Sequence, residues 1–474
     1  MASFTPATAG DASSTRSLTI GLCGGGTVGG GVVAILAQRR ATLLATKGIE
    51  LRVKTILVRD VAKTRDFALP DGCTLTDDWK QITDDADIDC VVELIGGVTL
   101  AKDIVFAALR AGKHVVTANK ALVAKHLDEI DALVAANANV RFGYEASVGG
   151  GIPCIRTLQQ GLLGDRPTQV AGIMNGTTNF ILTKMNADGA DYADVLAEAQ
   201  ALGFAEADPT ADVGGFDVRA KICILAKLAF GLTVDEEKVP ILGAGITRIS
   251  SADFAYAKDQ LGCTVKLLGV ARRTLGGAGA GDPRSAGGRV TPPPMADGGA
   301  GGVAIYVAPH MVPAGDAIAA VHGATNIVSI ASDSLRATSL VGQGAGRFPT
   351  ANSVVADLLA IALGTQGAPF PRACAGTGTP ALEADFAGRF YVRFRVRDGL
   401  GIIRRVAGLC EAHGISIHSI LQTPIEDPGD VPFALTTEAG CALSAVRAMC
   451  AEAADTLEFL REPPFFMPFY DANA

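Results

Sequence analysis

The stretch Ser17–Leu44, SLTIGLCGGGTVGGGVVAILAQRRATLL, decides the fold. Its opening SLTIGLC is a short uncharged apolar run that reads as a buried strand, and the part beyond the glycines, VVAILAQRRATLL, reads as a helix. Between them Gly24, Gly26 and Gly29 form G-x-G-x-x-G, running through Thr27 and Val28. At a strand-to-helix junction the first glycine permits the tight turn, the second lets main chain approach a pyrophosphate, and the third lets helix and strand pack closely. The phosphates then meet N–H groups at the helix N-terminus. With 56 glycines in the chain a merely structural turn is the competing reading, but the placement between strand and helix favours dinucleotide binding. Gly30 and Gly31 carry the glycine run into the helix, where part of it reads as tolerance rather than design.

Outward from this stretch the alternation continues. ELRVKTILVRD (50–60) is a second strand, DCVVELIGG (89–97) a third, DIVFAALRAG (103–112) a helix and KHVVTANK (113–120) another strand. Strand, helix, strand at this spacing implies parallel pairing with right-handed crossovers, an α/β doubly wound Rossmann sheet. The end of the second strand should meet the adenosine ribose, where an acid suits NAD and arginine suits the 2′-phosphate of NADP. Here Arg59 is followed by Asp60, Lys63 and Arg65, which favours NADP(H); Asp60 leaves NAD(H) open, and a solvated charged loop is the bland alternative. Lys120 falls just past a strand end, where open α/β sheets bind ligands, and reads equally as a surface charge or an electrostatic handle on substrate.

At 474 residues the chain has room for about three domains. We expect a leader at 1–17, a nucleotide-binding domain at 18–150, an α+β substrate and dimerisation domain with a mixed sheet at 151–365, a linker at 366–383 and a small domain at 384–474. The last reads RFYVRFRVRD, GIIRRVAGLCEAHG, ISIHSILQT, VPFALTTEA, LSAVRAMCAEAADTL and FFMPFY, a βαββαβ ferredoxin-like order. Residues 276–302 hold ten glycines and four prolines and read as a flexible insertion between TVKLLGVARR (264–273) and VAIYVAPHMV (303–312), two strands that should pair as a hairpin.

Composition narrows the partners. Forty-nine per cent hydrophobic and 19% charged residues indicate globular structure. A net charge of −8 with no basic run argues against nucleic acid, and the lack of 18 uncharged apolar residues in a row argues against a membrane span. The ten cysteines sit singly in apolar runs, among them Cys90, Cys223 and Cys410, and read as reduced thiols of a cytoplasmic protein.

The densest polar cluster is GFAEADPTADVGGFDVRAKICILAK (203–227). Glu206, Asp208, Asp212 and Asp217 crowd together, and Lys221 follows Asp217 by four on one helical face. An exposed pair there would contribute little, but the helix continues as ICILAKLAFG, apolar nearly all round, so the pair should be buried and more often functional than ornamental. A lysine fixed by a carboxylate could give the proton that carbonyl reduction needs. No histidine accompanies the acids, which weakens a metal site as the rival.

From about residue 18 onward the chain resembles the homoserine dehydrogenase family. GTVGGGV, VVELIGG, GKHVVTANKAL, EASVGGGIP, IMNGTTNFIL, GFAEADPTADVGGFDVRAK and GAGRFPTANSVVADL occur in that family's order. The resemblance implies NADPH-linked reduction of L-aspartate 4-semialdehyde to L-homoserine, reversibly, in threonine, methionine and isoleucine biosynthesis. It makes Lys221, Lys120 and Asp217 catalytic, and Glu206, Asp212, Asp217, Asn175 and Thr177 substrate-binding. It adds Gly96, Gly203 and Gly346 to the cofactor contacts Gly24, Gly26, Thr27, Val28, Gly29, Arg59, Lys63 and Lys120. A sodium ion would be held by the main-chain carbonyls of Glu145, Val148, Gly150 and Ile152, and the protein would be a homodimer or homotetramer. The last domain resembles an ACT module, which implies an amino-acid effector such as L-threonine near Asp398, Gly401, Ile415 and Ser416, and a catalytic core that survives truncation near residue 380. Two motifs depart from the family: Gln343 replaces the proline of G-P-G-A-G, and Asp398-Gly-Leu-Gly401 lacks the proline of D-x-P-G, which implies weak or absent inhibition. The insertion at 276–302 also exceeds the family's usual hairpin. Two other readings compete: a 2-hydroxyacid dehydrogenase of the phosphoglycerate dehydrogenase type, and a non-enzymatic nucleotide and amino-acid sensor.

Overall fold

The computed structural model describes residues 15–274, 301–371, 380–422, 425 and 427–472. Most of the expected leader and insertion, and part of the linker, lie outside them. The chain divides into two compact units, 1–151 with 345–369, and 152–344 with 370–474.

The first unit runs β1 (Arg16–Cys23), α1 (Thr27–Lys47), β2 (Ile49–Leu57), β3 (Thr74–Thr76), α2 (Lys80–Thr83), β4 (Cys90–Glu93), α3 (Thr99–Arg110), β5 (His114–Thr117), α4 (Lys120–Ala135) and β6 (Phe142–Gly143). Its six strands lie in the order β3-β2-β1-β4-β5-β6, parallel at every pairing, which is the doubly wound arrangement. The strands are apolar runs because both faces are covered; Ile20, Leu22, Val53 and Val92 are all buried. Helix α1 ends where Gly48 adopts φ 62° and returns its N–H to Leu44 O at 3.0 Å. Strand order reverses between β2-β1 and β4, so the glycine turn after β1 sits at the switch point where such sheets bind ligands.

The second unit begins with the single turn α5 (Cys154–Arg156), then β7 (Pro167–Ile173), α6 (Gly176–Asp188), α7 (Tyr192–Ala201), α8 (Thr210–Val213), α9 (Phe216–Phe230) and α10 (Ser251–Ala255). Strands β8 (Cys263–Arg273), β9 (Val303–Pro313), β10 (Thr325–Ser332) and β11 (Arg336–Gln343) follow. Strands β8 and β9 pair antiparallel from Cys263↔Pro313 to Arg273↔Val303, the hairpin expected from sequence. The chain then returns to the first unit in α11 (Arg347–Leu363), whose Ala351, Val354, Val355 and Leu358 join the core that contains Ile20 and Val32. The closeness of that contact explains the long glycine run: a Cβ on Gly31 would lie 2.8 Å from Arg347 O and 2.9 Å from Ala351 Cβ. Gly31 is therefore a packing seat rather than a tolerated residue.

Back in the second unit, β12 (Leu382–Glu383) extends the sheet to β11-β10-β7-β8-β9-β12, mixed because only β9-β12 is parallel. After β13 (Ala387–Gly388) come β14 (Phe390–Val396), α12 (Ile402–Ala412), β15 (Ile417–Gln422), β16 (Val431–Thr437), β17 (Cys441–Ala442), α13 (Leu443–Thr456) and β18 (Phe465–Pro468). The sheet order β15-β16-β14-β18, all antiparallel, is the expected ferredoxin-like module. It is not a free-standing bead. One apolar core runs from Leu268, Tyr306 and Ile327 into Phe390, Phe394, Val446 and Met449. The terminal segment also pairs onto β9, with Tyr470 N donating to Met311 O at 2.8 Å. Among the described residues, no helix is long and apolar enough to cross a membrane.

Candidate active site

The nucleotide half is built from strand ends. Gly24 turns the chain at φ 119°, and a Cβ on Gly29 would stand 1.9 Å from Gly24 O, so loop and helix touch as the motif requires. Gly26 faces open space, with nothing within 4 Å of an added Cβ. The first-turn N–H groups of Thr27, Val28 and Gly29 have no intrahelical acceptor, and no side chain caps them. This end of α1 can hold an anion. Arg59 and Lys63 are both exposed on the loop after β2, where Asp60 Oδ1 instead accepts the Ala62 N–H at 2.9 Å.

Across the neighbouring strand ends runs a buried polar network that sequence reading did not single out. Glu93, fully buried at the end of β4, accepts from Thr117 Oγ1 at 2.7 Å, Ile95 N at 2.9 Å and Gly96 N at 3.2 Å. Burial pushes the Glu93 carboxyl above the usual range, and these donors pull against it. Asn119 donates to Gly97 O at 2.6 Å and accepts from Leu122 N at 3.1 Å, capping α4. Lys120 is thereby presented as the first residue of α4, half-buried.

The carbonyls of Glu145, Val148, Gly150 and Ile152 fall on a buried turn with consecutive left-handed glycines, Gly149 at φ 71° and Gly150 at φ 54°. Gly150 O accepts from Ser353 Oγ at 2.7 Å, and Ile152 O from Cys154 N at 2.8 Å.

The second unit places two of the three catalytic candidates, Asp217 and Lys221, on α9. Lys221, 8% exposed, donates to Asp217 Oδ2 at 2.7 Å and to Met174 O at 2.6 Å. The pair is buried, as the apolar continuation of the helix required. Asn175 joins the acids: its Nδ2 donates to Asp212 Oδ1 at 2.7 Å and Asp217 Oδ2 at 2.9 Å, while its Oδ1 caps α6 through Thr178 N at 2.9 Å. Thr177 Oγ1 donates to Phe204 O at 2.7 Å, and Phe180 stacks on Phe204 at 4.5 Å, which fixes the loop carrying Gly203 and Glu206. Glu206 itself is exposed, and no hydrogen bond ties its carboxylate to the cluster among the described residues. Gly346, at φ 117°, precedes α11 without a side-chain cap. Among the described residues, no three His, Cys, Asp or Glu come together as a metal set.

Three family models cover this architecture in order: "Homoserine dehydrogenase, NAD binding domain" over residues 24–145, "Homoserine dehydrogenase" over 153–359 and "ACT domain" over 390–449. The homoserine dehydrogenase of Bacillus subtilis (strain 168) is 39% identical over 417 residues, 87% of this chain and 89% of that protein. The chain belongs to the homoserine dehydrogenase family. The Pseudomonas aeruginosa homoserine dehydrogenase is likewise 39% identical, over 89% of this chain and 92% of its own. A crystal structure of a homoserine dehydrogenase from Thiobacillus denitrificans superposes with a TM-score of 0.82 at 35% identity, covering 97% of this chain and 99% of that one. The enzyme is thus an oxidoreductase with a nicotinamide-nucleotide domain and an ACT module, which sets aside the 2-hydroxyacid dehydrogenase and sensor readings.

For a homoserine dehydrogenase the first unit fits its nucleotide on its own evidence: an open Gly26, an uncapped helix N-terminus and a switch-point turn. The residues missed by sequence, Glu93 and Asn119, lie inside VVELIGG and TANK. Their signal was a carboxylate and an amide standing at the ends of adjacent strands.

Proposed function

We propose that this homoserine dehydrogenase interconverts L-aspartate 4-semialdehyde and L-homoserine with NADP(H), NAD(H) being the weaker cofactor, and that Lys221 moves the proton. The observation that carries the reading is the geometry of the Lys221 ammonium. Two of its three N–H bonds are directed at Asp217 and the Met174 carbonyl, and the third is the one available to a substrate oxygen. A bound nicotinamide supplies or accepts the hydride. In the reducing direction the semialdehyde carbonyl carbon gains that hydride and its oxygen gains a proton from Lys221 Nζ, giving the primary alcohol. Asp217 holds the ammonium in line and steadies its charge before transfer. Asn175, by bridging Asp217 and Asp212, keeps both acids turned to one side. Glu206, Asp212, Asp217, Asn175 and Thr177 form the substrate-binding set; the exposed Glu206 takes the substrate ammonium with Asp217, and Lys120 offers a second positive charge to the reacting oxygen.

Gly24, Gly26, Thr27, Val28 and Gly29 receive the pyrophosphate, Arg59 and Lys63 the 2′-phosphate, and Gly96, Lys120, Gly203 and Gly346 complete the cofactor contacts. The carbonyls of Glu145, Val148, Gly150 and Ile152 suit a sodium ion, a hard cation that takes oxygen ligands from a tight main-chain turn. Free, buried thiols such as Cys223, pushed up to about 12 by burial, accord with a reducing cytoplasm. Edge strand β11, with Val341 and the preceding Leu335 more than half exposed, accords with a homodimer or homotetramer. The turn of Asp398 and Gly401 would receive an amino-acid effector, with weak or absent inhibition by L-threonine because no proline stiffens it.

Homoserine oxidation assayed with NADP and NAD side by side tests the cofactor assignment. In Arg59→Asp, NADP should lose about 1.5–3 kcal/mol of binding while NAD changes little. Equal losses with both cofactors would remove Arg59 from phosphate recognition.

A further inference from the structure

Asn326, near the start of β10, is 1% exposed, yet neither Nδ2 nor Oδ1 has a hydrogen-bond partner. Buried amides are almost always paired, because each group that leaves water without a partner costs free energy. The position carries meaning. Strand β7 ends at Ile173 opposite Ile327, so Asn326 stands level with Met174, the residue whose carbonyl accepts from Lys221 Nζ. On its other side Asn326 pairs across the ladder with Gly342 of β11. Beyond Gly342 the chain turns over the amide: a Cβ on Gly344 would stand 1.9 Å from Asn326 Nδ2, 2.3 Å from Cγ and 2.8 Å from Oδ1. Bare main chain therefore roofs the side chain, and any residue larger than glycine at 344 would collide with it.

The roof rules out a small molecule entering against the amide while the turn stays in place, and it names the partner instead. Main chain offers carbonyl acceptors and N–H donors, which the Nδ2 and Oδ1 of a primary amide can meet one each, and the main chain at Gly344 lies against Asn326 while neither amide atom is hydrogen-bonded. We propose that Asn326 is a positioning residue of this enzyme: in the cofactor-loaded state its amide clasps the Gln343–Gly344 main chain and so fixes the course of the turn toward Gly346. The inference rests on the proposed role of Gly346 as a cofactor contact. A buried amide that gains partners when cofactor binds would contribute to cofactor affinity. Because β10 also runs beside Met174, the clasp ties the turn to the strand ends that carry the Lys221 site.

The test uses the full chain with Asn326→Leu, Asn326→Asp and Asn326→Ser, reading NADP(H) dissociation constants, KM and kcat, and melting temperature with and without cofactor. For Asn326→Leu the cofactor-free melting temperature should stay level or rise, because an apolar group of similar size replaces an unpaired polar one. The rise in melting temperature on adding NADP should shrink, and the KM for cofactor should grow tenfold or more with homoserine KM within threefold. Should the leucine variant fail to accumulate, the aspartate and serine variants carry the same expectation for cofactor KM. Cofactor constants within twofold of the parent in all three would overturn the clasp, as would an equal loss of melting temperature with and without cofactor, which marks an ordinary structural residue. Gly346→Ala separates the two readings. If it weakens cofactor binding while the Asn326 variants do not, the clasp alone fails; if it too changes nothing, the assignment of Gly346 fails and the inference falls with it.

Discussion

Helix α9 holds Asp217 against Lys221, and the contact of α10 with β14 holds Asp253 against Arg393; both pairs are buried in the same unit, and they are finished differently. Asp253 is wholly enclosed and accepts from Ser250 N at 2.9 Å, Ser250 Oγ at 3.2 Å, Tyr391 OH at 2.8 Å and the Arg393 guanidinium. Arg393 in turn reaches Arg248 O at 3.0 Å and Glu462 at 3.2 Å. Burial drives the Asp253 carboxyl upward against the pull of Arg393, and the surrounding donors keep the cluster closed. Around Lys221 the side chains are 10% and 9% exposed, and the lysine's second partner is a neutral carbonyl. Burial alone does not mark an ion pair as functional. What separates the two is enclosure: the Lys221 and Asp217 side chains keep some exposure, whereas Asp253 is wholly enclosed and multiply bonded.

The harshest way to break this contrast is to cut the chain after Pro380. The sequence reading expects a competent core, but the cut removes Arg393 and Tyr391 from a buried carboxylate and strips more than half of a shared apolar core. We expect no stable fragment, checked by soluble yield and circular dichroism. An active, monodisperse fragment would restore the reading of the ACT module as detachable.

Next in size, Arg393→Leu should cost about 3–5 kcal/mol in denaturant unfolding, because it leaves the Asp253 charge uncompensated. Adding Asp253→Leu should recover much of the loss, and the folded fraction of either variant should keep its parent's kcat.

Lys221→Ala sharpens the contrast from the other side. It should lower kcat by about 10²-fold or more, with cofactor binding kept and the melting temperature within a few degrees. Unfolding in place of a kinetic defect would show that the two pairs do the same work.

The β8-β9 hairpin, where neither pair lies, is the control. Thr274 N donates to Gly302 O at 2.9 Å, so removing 276–300 leaves Leu275 and Gly301 as a two-residue turn between paired ends. Activity should be unchanged and stability should shift little, since each doubling of loop length costs only about 0.6 kcal/mol. A large drop in melting temperature would contradict this.

Local features were the legible ones. The glycine turn, the alternation from β1 to β5, the β8-β9 pairing and the Asp217–Lys221 spacing each depend on residues close in sequence, where periodicity carries the information. The return of α11 to the first unit was not legible, because its apolar face fits any core and only tertiary contact selects one. Asn175 was named only through the family resemblance, because its cap position looks ordinary until Asp212 and Asp217 are folded against its amide. Glu93 and Asn119 were hidden for the opposite reason: a single acid or amide in an apolar strand end gives no period to detect. Gly31, read as tolerance, could be understood only once Arg347 and Ala351 were seen to press on it.

The return of α11 also orders events in time. The nucleotide-binding sheet cannot close its apolar face until residues 347–363 have been made, so on a ribosome adding roughly 5–20 residues each second the first part of the chain must wait through synthesis of most of the second unit. During that delay Leu36, Val32 and the outer face of α1 are without their final cover. The nascent amino-terminal half then exposes apolar surface of the kind that chaperones bind, and a gene fragment ending near residue 151 would encode a sheet with its longest-range packing partner missing.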